Sequence, residues 1–183
     1  PSETRLVELD DGDVIALEVS TPPGWHRRAP TAVMIHGLCG CHESGYLVRM
    51  AKKLYALGIR AVRMNLRGCG SGLGLARRIY HSGRSGDALA VLQSLAGSDP
   101  DSPLALIGFS LGGNIALKLA GELGHEHPEL PGLRQVIALC PPADLHACSQ
   151  RLLRPDNRIY DQKFVKLLRE DIGDRHRRFP DLP

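Results

Sequence analysis

LALIGFSLGGNIALKLA, residues 104–120, is the stretch on which the fold of this chain turns. Its first six residues are an apolar run opened by Pro103, with the length of a buried strand. From Asn114 onward, polar residues occur only at Asn114, Lys118 and Glu122, one stripe of a mostly buried helix. Between strand and helix lies Gly108-Phe109-Ser110-Leu111-Gly112, a G-x-S-x-G spacing followed by Gly113. Small residues at 108, 112 and 113 let the chain reverse from strand to helix in one residue, where side chains would strike the neighbouring strand and helix. Such an elbow forces Ser110 into a strained backbone and exposes its hydroxyl at the helix N-terminus. The spacing alone is weak in a chain with 20 glycines. The strand and helix around it make Ser110 a candidate nucleophile, against the plain reading of a glycine-rich turn with an incidental serine.

Working outward, the same alternation recurs. Residues 4–9 and 14–19 flank Asp11-Gly12 as a β-hairpin. Strands are expected at 31–37, 60–68, 104–109 and 135–140. Helices are expected at 44–57, closed by Gly58, at 82–96, stopped by Gly97, and at 111–123. Strands alternating with helices imply right-handed crossovers and an α/β fold, a mainly parallel sheet with helices on both faces. Ligands bind such sheets at the carboxyl ends of the strands. His36-Gly37, Arg67-Gly68, Ser110 and Pro141-Pro142 all fall there. Residues 1–150 are expected to form this core. Residues 151–183 begin a lid, with Tyr160, Phe164, Leu167 and Leu168 as the apolar stripe of a charged helix; a helix lying on a membrane is the other reading.

Composition narrows the class of protein. A formal net charge of +3, dispersed along 183 residues, gives no argument for nucleic acid. No run of 18 apolar residues exists that would cross a membrane. Five cysteines at irregular spacing suggest free thiols and a reducing, cytoplasmic location. Cys39, Cys41 and His42 are close together, but no second ligand pair accompanies them, so neither a metal nor another cofactor is expected.

Four stretches, HGLCGCHES (36–44), MNLRGCGSG (64–72), YHSGRSGD (80–87) and LIGFSLGGN (106–114), together resemble the YheT-like branch of the α/β-hydrolases. That resemblance covers nearly the whole chain and implies a serine hydrolase of carboxylic esters, with medium-chain or lipid-like acyl groups, or an acyltransferase. Cys39 stands where that family often has an acidic residue, and Cys41 where it often has a small one. Ser110 Oγ would attack the ester carbonyl. Leu111, the residue after it, would supply one backbone N–H to the oxyanion, and Leu38, after His36-Gly37, the other. His36 itself is expected to hold its loop, with a role as base the lesser alternative. Tyr80 and His81 either shape the site or simply pack.

The acid and base are not legible. In this fold they follow the nucleophile in the order acid, then histidine, after later strands. Asp144 is placed for the acid but also reads as a helix N-cap. His125 and His127 precede the strand at 135–140, His146 is too close to Asp144, and His176 lies in a charged tail. No histidine is therefore expected within about 3.2 Å of Ser110 Oγ, the reach of a general base. The last strands, carrying the true acid and histidine, are expected beyond residue 183. Strand 135–140 would then be an uncovered sheet edge open to self-association. A non-catalytic binding module on the same scaffold is the alternative from a different class.

Overall fold

The computed structural model describes residues 2–123, 130 and 132–182. Strands β1 (Glu3–Glu8) and β2 (Val14–Ser20) form an antiparallel hairpin through the Asp11-Gly12 turn. Strands β3 (Thr31–Ile35), β4 (Arg60–Met64), β5 (Leu104–Phe109) and β6 (Leu133–Leu139) run parallel. All six form one sheet in the order β1-β2-β4-β3-β5-β6, with β2 antiparallel to β4 and β6 at the end of the described sheet.

Alternation along the strands divides the core between the two faces. Val33 and Ile35 of β3, Val62 and Met64 of β4, and Leu104 and Leu106 of β5 join one apolar cluster with helices α2 (Ser85–Ser98) and α3 (Leu111–Leu123). Ala32, Met34, Ala61 and Ile107 point the other way and pack with Leu47 and Ala51 of α1 (Gly45–Ala56). Both faces therefore carry helices, and the central strands β3 and β4 are apolar throughout except Thr31, Arg60 and Arg63, as two-sided burial requires.

Local chemistry sets where the elements stop. Gly58, with φ +78°, closes α1 in a Schellman arrangement: its amide donates to Tyr55 O (3.1 Å) and the Ile59 amide to Leu54 O (3.0 Å). The expected helix 82–96 begins later, at Ser85, because residues 81–84 close as a turn. The Arg84 amide donates to His81 O (3.1 Å) and the Gly83 amide to His81 Nδ1 (3.1 Å). Gly97 does not stop that helix, since the Asp99 amide still reaches Leu95 O at 2.9 Å. Strands β3 and β4 end at Ile35 and Met64, short of the expected 37 and 68, because the next residues turn into the loops described below.

The chain divides into two compact units, Pro1–Pro141 and Pro142–Pro183. The boundary falls before the expected residue 150, which lies inside the continuous helix α4 (Leu145–Leu152) of the second unit. That unit continues through a short 3₁₀ turn to α5 (Arg158–Arg178). On α5, Phe164, Leu167 and Leu168 of the expected apolar stripe are half-buried, while Tyr160 is exposed. No helix among the described residues is long and apolar enough to cross a membrane.

Candidate active site

Strand register brings two loops together. Ile35 of β3 pairs with Gly108 of β5 in parallel, so Gly37 and Ser110, each two residues further on, arrive side by side. A Cβ placed on Gly37 would stand 3.2 Å from Ser110 Cβ. Ser110 itself is exposed, with φ +51°, a conformation that costs a non-glycine residue about 1 kcal/mol or more. Its amide donates to Leu139 O of β6 (2.9 Å) and its carbonyl accepts from the Asn114 amide (3.0 Å), so the elbow is clamped from both sides. A Cβ on Gly108 would lie 2.6 Å from Gly113 Cα, and one on Gly112 2.5 Å from Ile35 O. These glycines are required by space.

Three non-glycine residues with positive φ occur among the described residues: Cys39 (54°), Ser110 (51°) and Cys140 (48°). Each lies in a loop leaving the carboxyl end of a parallel strand. Strained backbone thus gathers at the carboxyl ends of the parallel strands, where sheets of this kind bind ligands.

The loop after β3 accounts for its amides almost completely. The Gly37 amide donates to Tyr46 Oη (2.9 Å) and the Cys39 amide to Tyr80 Oη (3.0 Å). The Gly40 amide closes a turn onto Gly37 O (3.0 Å). The Cys41 amide donates to Ser44 Oγ (3.1 Å) and the His42 amide to Asn65 Oδ1 (2.8 Å). Leu38 alone in this run has an amide without an acceptor among the described residues. The Leu111 amide is the first of α3, where no intrahelical acceptor exists. Tyr46 was not legible as part of this arrangement, since it reads as one more residue of an amphipathic helix.

His36 is fully buried and holds the loop from within. Its Nε2 accepts the Leu66 amide (3.0 Å), so Nδ1 must carry the proton it gives to Gly37 O (2.7 Å). Both nitrogens are thus committed to backbone. Burial, reinforced by nearby His42 and partly offset by the Gly37 carbonyl, pushes its pKa down to about 4. A depressed histidine contributes fully above its unfolded value, 6.5, and loses that contribution as pH falls toward about 4. The unfolding free energy is expected to drop by about 2 to 3 kcal/mol between pH 7 and 4.5. Urea titrations at both pH values test this. A pH dependence unchanged in His36→Gln would assign the effect to other groups.

Among the described residues the Ser110 hydroxyl has no hydrogen-bond partner, and His36 is engaged elsewhere. His81 is exposed and its Nδ1 accepts the Gly83 amide. His146 and His176 are exposed on α4 and α5, and His125 and His127 lie outside the described residues. Asp144 caps α4, accepting the Ala147 amide at 2.8 Å. None of the five cysteines is in a disulfide, and no group of three or more metal-ligating side chains is assembled among the described residues.

The loop after β4 carries an ion cluster that the spacing of residues did not announce. The Arg67 guanidinium, 3% exposed, forks onto both oxygens of Asp87 (2.7 and 2.6 Å). Its third nitrogen reaches Asp13 (2.5 Å) and Asp11 (2.8 Å). Asp13 also accepts the amides of Arg77 (2.7 Å) and Arg78 (3.0 Å). One arginine thus ties the hairpin turn, the loop after β4 and the start of α2 together, and with them the segment leading to Tyr80.

Comparison with known proteins agrees with this geometry. The family model described as serine aminopeptidase, S33, matches residues 27–171. YheT of Escherichia coli (strain K12), whose given name includes esterase, is 30% identical over 96% of this chain and 51% of its own. Phospholipase ABHD3 of Mus musculus is 27% identical over 81% of this chain and 35% of its own. The chain thus spans about a third to a half of these relatives' lengths. Among solved structures, XC6422 from Xanthomonas campestris, an α/β serine hydrolase without lid, is 26% identical with a TM-score of 0.58, over 78% of this chain and 62% of its own. With its elbow at residues 108–112 and its mostly parallel sheet, the chain belongs to the serine aminopeptidase S33 family as a YheT-like α/β-hydrolase.

Proposed function

We propose that the protein hydrolyses carboxylic esters through an acyl-enzyme on Ser110, with the Leu38 and Leu111 amides as oxyanion donors. The observation that carries this reading is a strained, exposed Ser110 lying beside Gly37, whose next residue, Leu38, has the one amide of residues 37–42 without an acceptor among the described residues. Ser110 Oγ attacks the carbonyl carbon, and its proton passes to a base. The carbonyl oxygen gains negative charge, which the Leu38 and Leu111 amides stabilise. Each such donor contributes on the order of 3 kcal/mol to the transition state. Collapse expels the alcohol and leaves the acyl group on Ser110, from which water takes it. An alcohol in place of water gives acyl transfer by the same steps.

The names of the relatives, an esterase and a phospholipase, support carboxylic esters, lipid esters among them, as the substrate class, and medium-chain acyl groups belong to the same proposal. The test is fluorophosphonate labelling of the intact protein, with the adduct located by mass spectrometry. A single adduct on Ser110 is expected, absent in Ser110→Ala, with ester turnover reduced at least about 10³-fold in that variant. No adduct on a folded protein would favour a binding module, a reading motivated by the lack of a histidine on the Ser110 hydroxyl among the described residues. Adding ethanol and measuring ethyl ester against free acid separates transferase from hydrolase.

A further inference from the structure

We propose that Tyr46 and Tyr80 are positioning residues that select the Leu38 amide as the oxyanion donor. The inference rests on the reading of Ser110 as nucleophile and extends it to side chains that touch neither substrate nor serine hydroxyl. A loop leaving a strand offers several amides, and any of them could turn toward the nucleophile. Here the amides on either side of Leu38 are each taken by a phenol oxygen from a different part of the chain, at 2.9 and 3.0 Å. With the amides of 37 and 39 committed to the two phenols, the amide between them is the one left to donate.

Each tyrosine is itself braced against the elements that it registers. Tyr46, in the first turn of α1, lays its ring against Phe109 with centroids 4.9 Å apart, and Phe109 immediately precedes Ser110. It therefore measures the oxyanion loop directly against the elbow. Tyr80 is 8% exposed and meets His36 edge-on at 6.4 Å. Its segment is pinned two residues earlier, where Asp13 takes the Arg78 amide, and Asp13 is held by Arg67. Cys39, between the Leu38 amide and the turn's end, keeps φ +54° without being glycine. The Tyr80 bond to its amide is one of the contacts that holds this strained residue. Phenylalanine at either position would keep the ring and its packing and remove the hydroxyl, which accepts the loop amide and, in Tyr80, also donates to Cys39 Sγ (4.0 Å).

The test uses turnover of a short p-nitrophenyl ester by the intact protein. Tyr46→Phe and Tyr80→Phe are each expected to lower kcat about tenfold or more with KM within about twofold, as loss of transition-state binding alone does. Tyr55→Phe, on the outer turn of the same helix as Tyr46, should leave both unchanged. A second measurement needs no variant: ¹⁵N amide spectra of the wild-type protein before and after fluorophosphonate reaction. The Leu38 and Leu111 amides should shift downfield and exchange more slowly, while Gly37 and Cys39 stay put. Full kcat in both variants overturns the proposal, as does a new bond from the Gly37 or Cys39 amide to the phosphonyl oxygen. A wild-type protein inert to fluorophosphonate overturns the nucleophile reading and this one together. Labelled protein with unaltered variants overturns this one alone.

Discussion

Gly112→Ala is expected to destabilise the protein by about 3 kcal/mol and to cut ester turnover at least 100-fold. The methyl would stand 2.5 Å from Ile35 O and 2.6 Å from His36 O, both main-chain atoms at the end of β3. No rotamer change relieves such a contact. Helix α3 must lift away from the sheet, or β3 must move, and either shift separates Ser110 from the loop that carries Leu38. The same helix supplies its own control. Gly121 has nothing within 4 Å of a built Cβ, so Gly121→Ala removes only a weak helix former. It should stabilise by about 0.5 to 1 kcal/mol and leave turnover alone. Urea unfolding and kcat for the two variants decide the matter. Similar behaviour of both would mean that packing against β3 does not shape the elbow.

Arg67→Met should cost about 3 to 5 kcal/mol, because it strands buried carboxylates rather than because it removes a favourable pair. Asp87 and Asp13 are each 4% exposed. Asp13 retains two backbone donors after the change, whereas Asp87 loses both bonds of the fork. Arg67→Met combined with Asp87→Leu should therefore recover part of the loss, since it removes the stranded charge with its partner. Arg67→Lys keeps the charge but cannot fork, and should fall between. The acid response follows the same cluster. Burial alone would raise the Asp11 pKa, but hydrogen bonds from Arg67 and the Asp13 amide, with the charges of Arg67 and Arg78, hold it below its ordinary 3.8. Its contribution is complete above that value and is lost as pH falls through the lowered one, a loss that Arg67→Met should blunt. Denaturant titrations from pH 7 down to 3 measure both effects. A cost under about 1 kcal/mol for Arg67→Met would show that the cluster is dispensable.

The alternation of apolar runs with amphipathic segments, read along residues 31–123, was enough for a parallel sheet covered on both faces, because burial on each face dictates residue type position by position. The elbow was legible for a similar reason: Gly108 and Gly112 are excluded-volume requirements written close together in the sequence, and Gly113 is a tight fit beside them. The left-handed closure at Gly58 belongs with them, since one turn of helix contains all its partners. Element ends were read less well. Ser85 as the start of α2 depends on the His81 side chain closing a turn, and Gly97 fails to stop the helix because glycine permits a left-handed residue without imposing one. What only the tertiary structure decided is contact between segments far apart in the chain. The side-by-side arrival of Gly37 and Ser110 follows from β3–β5 register, and the Arg67 fork joins residues from the hairpin turn, the loop after β4 and α2. Tyr46 and Tyr80 read as ordinary packing until the loop's amides are followed to their acceptors. Periodicity reports which face a residue takes, because burial is a property of each position. It cannot report which distant partner a polar group finds, because that is set by how the crossovers stack the strands.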